Sequence, residues 1–176
     1  MKKFNTWMLA EAGIVIALFL ILKQIKIFEM PMGGSITAGA MVPLLVFSYR
    51  WGGKNGLFVC AVAGIMDFII GTKYSFHPVS LLLDYPVAYG MIGVAGFFGK
   101  KITGMLTGTV IGIFGRFACH VISGVIVFAS YAPEGQNPLF YSILYNGTYL
   151  LPECIISFIL VTLVVKYARL PDPRRV

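Results

Sequence analysis

The chain is poor in charge, and above all in acids. Only 12% of its 176 residues are Asp, Glu, Lys or Arg, against roughly 25% in soluble domains. Asp and Glu number 7 against 14 Lys and Arg. This shortage of polar side chains excludes an ordinary cytosolic enzyme, a disordered protein and a secreted disulfide scaffold. The net charge of +7 does not indicate a nucleic-acid partner either, because the basic residues form no stripe on a soluble domain.

Catalytic and metal-binding motifs are absent from the sequence. Cys60, Cys119 and Cys154 lie inside apolar runs and are predicted to be small core or lipid-facing residues. There is no Walker A motif, nucleophile elbow or zinc-binding helix, and no inverted repeat of the kind that secondary carriers use. We therefore expect that the protein is not an enzyme and uses no cofactor or metal. We expect a binding subunit whose energy for transport is supplied by another protein.

Long apolar runs are what the chain has, since 58% of its residues are hydrophobic. A membrane helix needs about 20 mostly apolar residues, and six runs are candidates, of which the second and third are short. Strands are not expected, because the runs are continuous rather than alternating. The prediction is an all-α membrane protein, a six-transmembrane-helix bundle forming one integral membrane domain over residues 1–176. The predicted spans are 6–22, 36–49, 56–71, 81–98, 105–129 and 139–167.

Basic residues predict the orientation, because Lys and Arg concentrate on the cytoplasmic side of a membrane protein. Three basic residues fall on one side of the predicted spans and ten on the other. The side with ten is therefore predicted to be cytoplasmic, and both termini lie on it. The smaller group is Lys23, Lys26 and Lys73. The larger group is Lys2, Lys3, Arg50, Lys54, Lys100, Lys101, Lys166, Arg169, Arg174 and Arg175.

Polar side chains inside the predicted spans point to a pocket, because such groups are costly in a membrane and usually face a cavity or a partner. Asp84 begins the fourth span. Arg116 and His120 are four residues apart on the fifth and share a face. On the sixth, a three-four spacing aligns a further set: Asn146, Tyr149 and Glu153. A pocket near the outer surface that combines carboxylates, an imidazole, an amide and aromatic faces suits a small, flat, heteroaromatic cation.

Each of these residues also has a structural interpretation. Asp84 can be a helix N-cap, and Arg116 can neutralise Asp67 or Asp84 as a structural pair. Asp67 can equally be a helix-end partner of Lys73. The tyrosines, Tyr149 among them, can form an interfacial aromatic belt. Composition alone leaves these alternatives open and names no ligand.

Small residues line one face of the first span. Ala10, Gly13 and Ala17 recur at helical spacing, and the last two form a small-xxx-small pair. Such a face lets another helix approach closely. The partner helix is either within the same bundle or in another protein.

Five sequence blocks, taken in order, resemble a known family. They are MGGSIT, MVPLLVFSYRWGGKNGL, HPVSLLLDYPVAYGMIGVAG, RFACHVISGVIVF and YAPEGQNPLFYSILYNGTYLLPE. This order, over nearly the whole chain, is similar to the thiamine-specific S-components of energy-coupling factor (ECF) transporters, the ThiT family. The resemblance implies a six-helix S-component in the bacterial cell membrane that captures thiamine outside at high affinity. Its implied partners are the lipid bilayer, a membrane T-component and two cytoplasmic ATPases.

The resemblance also implies roles for individual residues. Asp84 would hold the aminopyrimidine, with Tyr85 next to it, and His120 would lie near the thiazolium. Tyr141 and Asn146 would face the pyrimidine. Phe128 stands where some relatives carry Trp, so a weaker cation–π contact is expected there.

Three further assignments complete the site; the first and the last follow from the resemblance, and that of Glu153 follows from the polar face of the sixth span. Gly34 occupies the place of a Trp lid in some relatives, within a gate loop between the first two spans to which Gly33 and Gly34 give flexibility. Glu153 joins the binding residues. The pair Gly13 and Ala17, with Ala10 on the same face, is the closest match to the family's AxxxA docking motif.

Two other functions remain open from the sequence. The same scaffold would serve an S-component for another vitamin or for a thiamine precursor. A proton-coupled secondary carrier would instead use Asp67, Asp84 or Glu153 as its proton site. An intramembrane enzyme is disfavoured, because no catalytic constellation is present.

Overall fold

The computed structural model describes residues 5–31, 33–99 and 101–168, which are mostly helical. Among these described residues, five helices are long and apolar enough to cross a membrane, which confirms the helical membrane class. A sixth, α2 (Met41–Trp51), has only 11 residues, because the predicted span 36–49 begins in a strand and a turn. The five long helices are α1 (Thr6–Gln24), α3 (Gly53–Ile70), the broken helix Pro78–Phe97, α6 (Ile102–Val127) and α7 (Pro138–Tyr167).

A β-hairpin follows α1, so the expectation that the chain has no strands is wrong here. Strands β1 (Lys26–Glu29) and β2 (Ser35–Thr37) pair antiparallel, with Phe28 opposite Ile36 and Glu29 opposite Ser35. The strands have four and three residues, too few for an alternating pattern to be recognised in the sequence.

The broken helix Pro78–Phe97 changes its winding near the middle. It runs through α4 (Pro78–Leu82), a π-helical turn (Leu83–Val87), α5 (Ala88–Gly93) and a final 3-10 turn. Pro86 has no N–H to donate to the preceding turn, and π turns occur where the helical hydrogen-bond ladder is interrupted in this way. The N-cap is His77, whose Nδ1 accepts from Val79 N at 3.2 Å. The interpretation of Asp84 as an N-cap is therefore wrong, because Asp84 lies within the π turn.

The packed centre of the bundle lies beside this broken helix. Phe19, Phe47 and Tyr89 are fully or almost fully buried, and the Phe19 and Tyr89 rings meet edge to face at 4.9 Å. Helix α3 approaches the π turn so closely that a methyl group at Gly64 would overlap the Tyr85 carbonyl oxygen. This contact places Asp84 and Tyr85 relative to α3. The three cysteines are free thiols.

Large apolar side chains cover the outside of the helices, as expected for helices in contact with lipid. Examples are Ile14, Phe114 and Leu151, each about two-thirds exposed. At the end of the bundle where α2 meets α3, Arg50 pairs with Glu11 of α1, with 2.6 Å between Nε and Oε1. Six of the basic residues that predict the orientation lie outside the described residues: Lys2, Lys3, Lys100, Arg169, Arg174 and Arg175.

Candidate ligand-binding cavity

A cavity of about 180 Å³ lies at the end of the bundle that carries the hairpin. Its walls come from the ends of α1 and α3, the hairpin, the broken helix, α6 and α7. All the sequence-predicted ligand residues except Glu153 border it. These are Gly34, Asp84, Tyr85, His120, Phe128, Tyr141 and Asn146.

Asp84 is held by three hydrogen bonds. Its Oδ2 accepts from Ser80 Oγ at 2.6 Å and from Ser123 Oγ at 2.7 Å, and its Oδ1 lies 2.9 Å from His120 Nδ1. A carboxylate offers about four acceptor positions, so one remains for a ligand in the cavity. The two serines were not predicted, although the spacing of Ser80 and Asp84, four residues apart on a helix, is a signal that the sequence contains.

Arg116 lies next to His120, as their spacing predicts. Its Nε donates to His120 Nε2 at 3.2 Å, and its Nη2 donates to the Tyr89 hydroxyl at 3.1 Å. The guanidinium carbon lies 4.1 Å from the centroid of the Tyr89 ring, a cation–π distance. The hypothesis that Arg116 pairs with Asp67 or Asp84 is therefore wrong, because its hydrogen bonds go to an imidazole and a phenol.

Asp67 pairs with Lys23 instead. Asp67 is only 2% exposed, and its Oδ2 accepts from Lys23 Nζ. Lys73 does not reach this carboxylate; it donates to the Ile69 carbonyl oxygen at 3.0 Å, because it lies beyond the end of α3 while Asp67 faces inward. The sequence treated Lys23 only as a marker of orientation, and nothing in its spacing relates it to Asp67.

Tyrosines form the aromatic wall along α7. The rings of Tyr141 and Tyr145 are 6.0 Å apart, and those of Tyr145 and Tyr149 are 6.4 Å apart. The Tyr149 hydroxyl donates to Asn146 Oδ1 at 2.6 Å. Tyr149 is 5% exposed, so its assignment to an interfacial belt is wrong. Tyr131, at 57% exposure, is compatible with that role.

The hairpin forms the roof of the cavity and is tied to its walls. The Tyr145 hydroxyl donates to the Gly33 carbonyl oxygen at 2.9 Å. Glu29 Oε1 accepts from Lys26 Nζ at 2.6 Å and from the Tyr74 hydroxyl at 2.9 Å. These hydrogen bonds, that from Lys26 first, hold the pKa of Glu29 below its ordinary value.

Gly33 and Gly34 allow the hairpin to lie this close. Both have left-handed φ angles, +89° and +87°, which favour glycine. A Cβ atom would meet the Tyr74 ring at Gly33 and the Tyr149 ring at Gly34. At Gly34 the chain therefore contributes backbone only to the cavity, and a Trp side chain does not fit this arrangement.

Glu153 lies one turn beyond the cavity wall. The predicted common face is confirmed, because Asn146, Tyr149 and Glu153 are all buried, but this face is longer than the cavity. Glu153 Oε1 accepts from the backbone N–H and the hydroxyl of Thr37, the latter at 2.6 Å. The structure thus places Glu153 under the end of β2, beside a separate small cavity of about 20 Å³.

The small-residue face of α1 points away from the bundle. Ala10, Gly13 and Ala17 are all exposed, and a methyl group at Gly13 would meet nothing within 4 Å. The buried face of α1 carries other residues: Met8, Ala12, Val15 and Phe19. The alternative that the small residues pack inside the same bundle is therefore wrong.

Comparison with known proteins identifies relatives that are all described as thiamine transporters or as ThiT. A family model described as thiamine transporter protein matches residues 9–170. The thiamine transporter ThiT of Bacillus subtilis (strain 168) is 38% identical over 170 residues, 88% of each chain. ThiT of Lacticaseibacillus paracasei is 28% identical over 144 residues, 73% of this chain and 72% of that protein. A solved structure of ThiT from Listeria monocytogenes matches the fold with a TM-score of 0.82 at 24% identity, covering 92% of this chain and 94% of that one.

Proposed function

The chain belongs to the thiamine transporter protein family, and from this premise we propose that it captures thiamine in the cavity beneath the hairpin. The observation that carries the proposal is Asp84, a carboxylate with one unused acceptor position inside an aromatic cavity. Thiamine joins an aminopyrimidine, which donates hydrogen bonds, to a cationic thiazolium. A half-buried carboxylate and several aromatic faces complement both parts.

The residues around Asp84 have complementary roles in this proposal. Asp84 accepts from the exocyclic amine of the pyrimidine, and Tyr141 and Asn146 contact the same ring. Tyr85 adds an aromatic face, and Phe128 faces the thiazolium. Glu153 acts indirectly, since it holds β2 through Thr37 and so supports the roof.

The chain is a multi-pass membrane protein of the bacterial plasma membrane, as its five long apolar helices and its family indicate. Within the proposal, the short α2 completes a set of six spans. Both termini are cytoplasmic, because Arg50, Lys54 and Lys101 stand at the end of the bundle opposite the cavity. The cavity then opens outside, where a substrate is captured for import.

The energy for import comes from other subunits in this proposal. The chain acts as a single-domain S-component, residues 1–176, and changes no covalent bond. A membrane T-component docks on the outward small-residue face of α1, and two cytoplasmic ATPases drive the complex. The hairpin opens and closes the cavity as a gate, with Gly33 and Gly34 at its tip.

Calorimetric titration of thiamine into the detergent-purified chain tests the proposed function. We expect tight one-to-one binding without any partner, since the cavity is formed by this chain alone. Calorimetry is preferable to tryptophan fluorescence, because Trp7 and Trp51 are not among the residues that border the cavity. A protein that melts cooperatively but does not bind thiamine would refute the ligand assignment.

A tryptophan at Gly13 is expected to abolish transport without affecting capture. The substitution Gly13→Trp places a bulky ring on the exposed docking face and prevents close helix approach, while the cavity lies at the other end of α1. Thiamine affinity and thiamine uptake are measured with the complete transporter reconstituted in vesicles. Gly147→Trp is the matched control, because that position on α7 also has open space beside it. Undiminished uptake by Gly13→Trp would exclude this face as the docking site.

A further inference from the structure

Arg116 is a half-buried cation for which the proposed function has no role. It occupies the deep side of the cavity, one helical turn from His120, and touches an imidazole and a phenol instead of a carboxylate. A guanidinium has five donors and no acceptor. Because Arg116 Nε donates to His120 Nε2, that nitrogen carries no proton. The imidazole proton is therefore on Nδ1, directed at Asp84 Oδ1 at 2.9 Å.

We propose that Arg116 is a positioning residue that keeps His120 neutral, with its proton on Nδ1, so that His120 donates to Asp84 without adding a positive charge to the cavity. The inference rests on the proposed function in one respect, which is that the ligand is a cation. Arg116 itself is not assigned a contact with the ligand.

Without the hydrogen bond from Arg116, both ring nitrogens of His120 would be able to carry a proton. A free histidine has a pKa of about 6.5 and changes its charge between about pH 5 and pH 8. A carboxylate at hydrogen-bonding distance favours the imidazolium. That second positive charge would neutralise Asp84 and repel a cationic ligand. The hydrogen bond from Arg116 uses the lone pair that the extra proton would need.

Other ionisable groups around His120 do not replace Arg116. Asp67 is already paired with Lys23, and Glu153 is engaged by Thr37. The remaining neighbours are the phenols of Tyr85, Tyr89 and Tyr149. The ionisable side chains that face this region from the surrounding helices are Lys23, Asp67, Asp84, Tyr85, Tyr89, Arg116, Tyr149 and Glu153.

The charge on Arg116 also lies far from Phe128, the residue proposed to face the thiazolium. Arg116 and Phe128 are separated by 12 positions along α6 and its C-cap, which is about 18 Å at the helical rise of 1.5 Å per residue. His120 stands between them. A cation held near Phe128 is therefore affected more by the charge of His120 than by the charge of Arg116.

Nitrogen-15 NMR of the histidine-labelled protein tests the tautomer directly. The chain has two histidines, and the exposed His77 is replaced by the N-cap residue Asn so that a single imidazole remains. We expect a protonated Nδ1 and an unprotonated Nε2 in the range of about pH 6 to 8. A proton on Nε2, or titration of the ring within this range, would overturn the inference. The experiment needs no ligand, so it stands even if thiamine fails to bind.

Substitution of Arg116 tests the consequence for binding. In Arg116→Met the ring is free to take a second proton, and we expect thiamine affinity to be about tenfold lower at pH 6 than at pH 8. Arg116→Lys keeps a donor and a charge and is expected to restore an affinity that is equal at pH 6 and pH 8. Lys73→Met, which removes an exposed cation, serves as the control.

The outcomes separate the two proposals. An affinity in Arg116→Met that is equal at both pH values, like that of the native protein, would overturn the role of Arg116 while leaving thiamine capture intact. The Met variant also loses the hydrogen bond to Tyr89. If that variant folds poorly, the NMR spectrum of the native chain and the Arg116→Lys variant decide the question. Absence of thiamine binding by the native chain would refute the proposed function and not the tautomer.

Discussion

Replacing Asp84 by Asn is expected to weaken thiamine binding about thirtyfold or more while the chain stays folded. The change removes the negative charge of the carboxylate that offers the unused acceptor position, yet it preserves the shape of the side chain. Truncating a buried, hydrogen-bonded charge costs roughly 2–5 kcal/mol, and each 1.4 kcal/mol is about tenfold in affinity. Calorimetric titration measures the affinity, and a thermal melt verifies that the variant remains folded.

The matched control is Glu134→Gln. Glu134 is an exposed acid in the loop before α7 and does not border the cavity, so its removal changes the net charge equally and leaves affinity as it was. Asp84→Glu, which restores the charge, is expected to bind more tightly than Asp84→Asn. An Asp84→Asn variant with native affinity would remove Asp84 from the site.

Adding one methyl group at Gly64 is expected to reduce both stability and thiamine affinity. In Gly64→Ala the new Cβ overlaps the Tyr85 carbonyl oxygen and crowds Pro86 N. Relief of the overlap requires α3 to move away from the π turn that carries Asp84. Overpacking of this kind costs about 1–3 kcal/mol, so we expect a lower melting temperature together with a loss of affinity of about tenfold.

Gly147→Ala separates this effect from a general effect of glycine replacement. Gly147 lies in α7 with nothing within 4 Å of the added methyl group, and Gly to Ala inside a helix is favourable by about 1 kcal/mol. We expect this variant to be as stable as the native protein or more so, with native affinity. If Gly64→Ala also bound thiamine normally, the position of the π turn would not depend on its contact with α3.

Much of the membrane architecture was predictable from the sequence. Continuous apolar runs predict spanning helices, because the bilayer leaves no water to satisfy exposed backbone groups, and the described bounds follow those runs closely. The exception is the region after α1. Its strands are too short to show periodicity, and the positive φ angles of Gly33 and Gly34 bring the hairpin over the cavity.

The sequence by itself also determined which polar groups a membrane protein would have to gather. Asp84, His120 and Asn146 lie in spans where an unpaired polar side chain is costly. The family resemblance then assigned Phe128 and Tyr141 their places around the ligand. Helical spacing further related Arg116 to His120, because residues four apart on one helix are neighbours whatever the fold.

Only the tertiary structure decided which groups pair between helices. Lys23 meets Asp67 across α1 and α3, and Arg116 meets Tyr89 instead of a carboxylate. Glu153 accepts a hydrogen bond from Thr37 and does not border the cavity. The distances between helices determine which long polar side chains can pair. These distances depend on how closely the backbones pack at positions such as Gly64. Those distances are a property of the assembled bundle and are not encoded in the spacing of residues along any one helix.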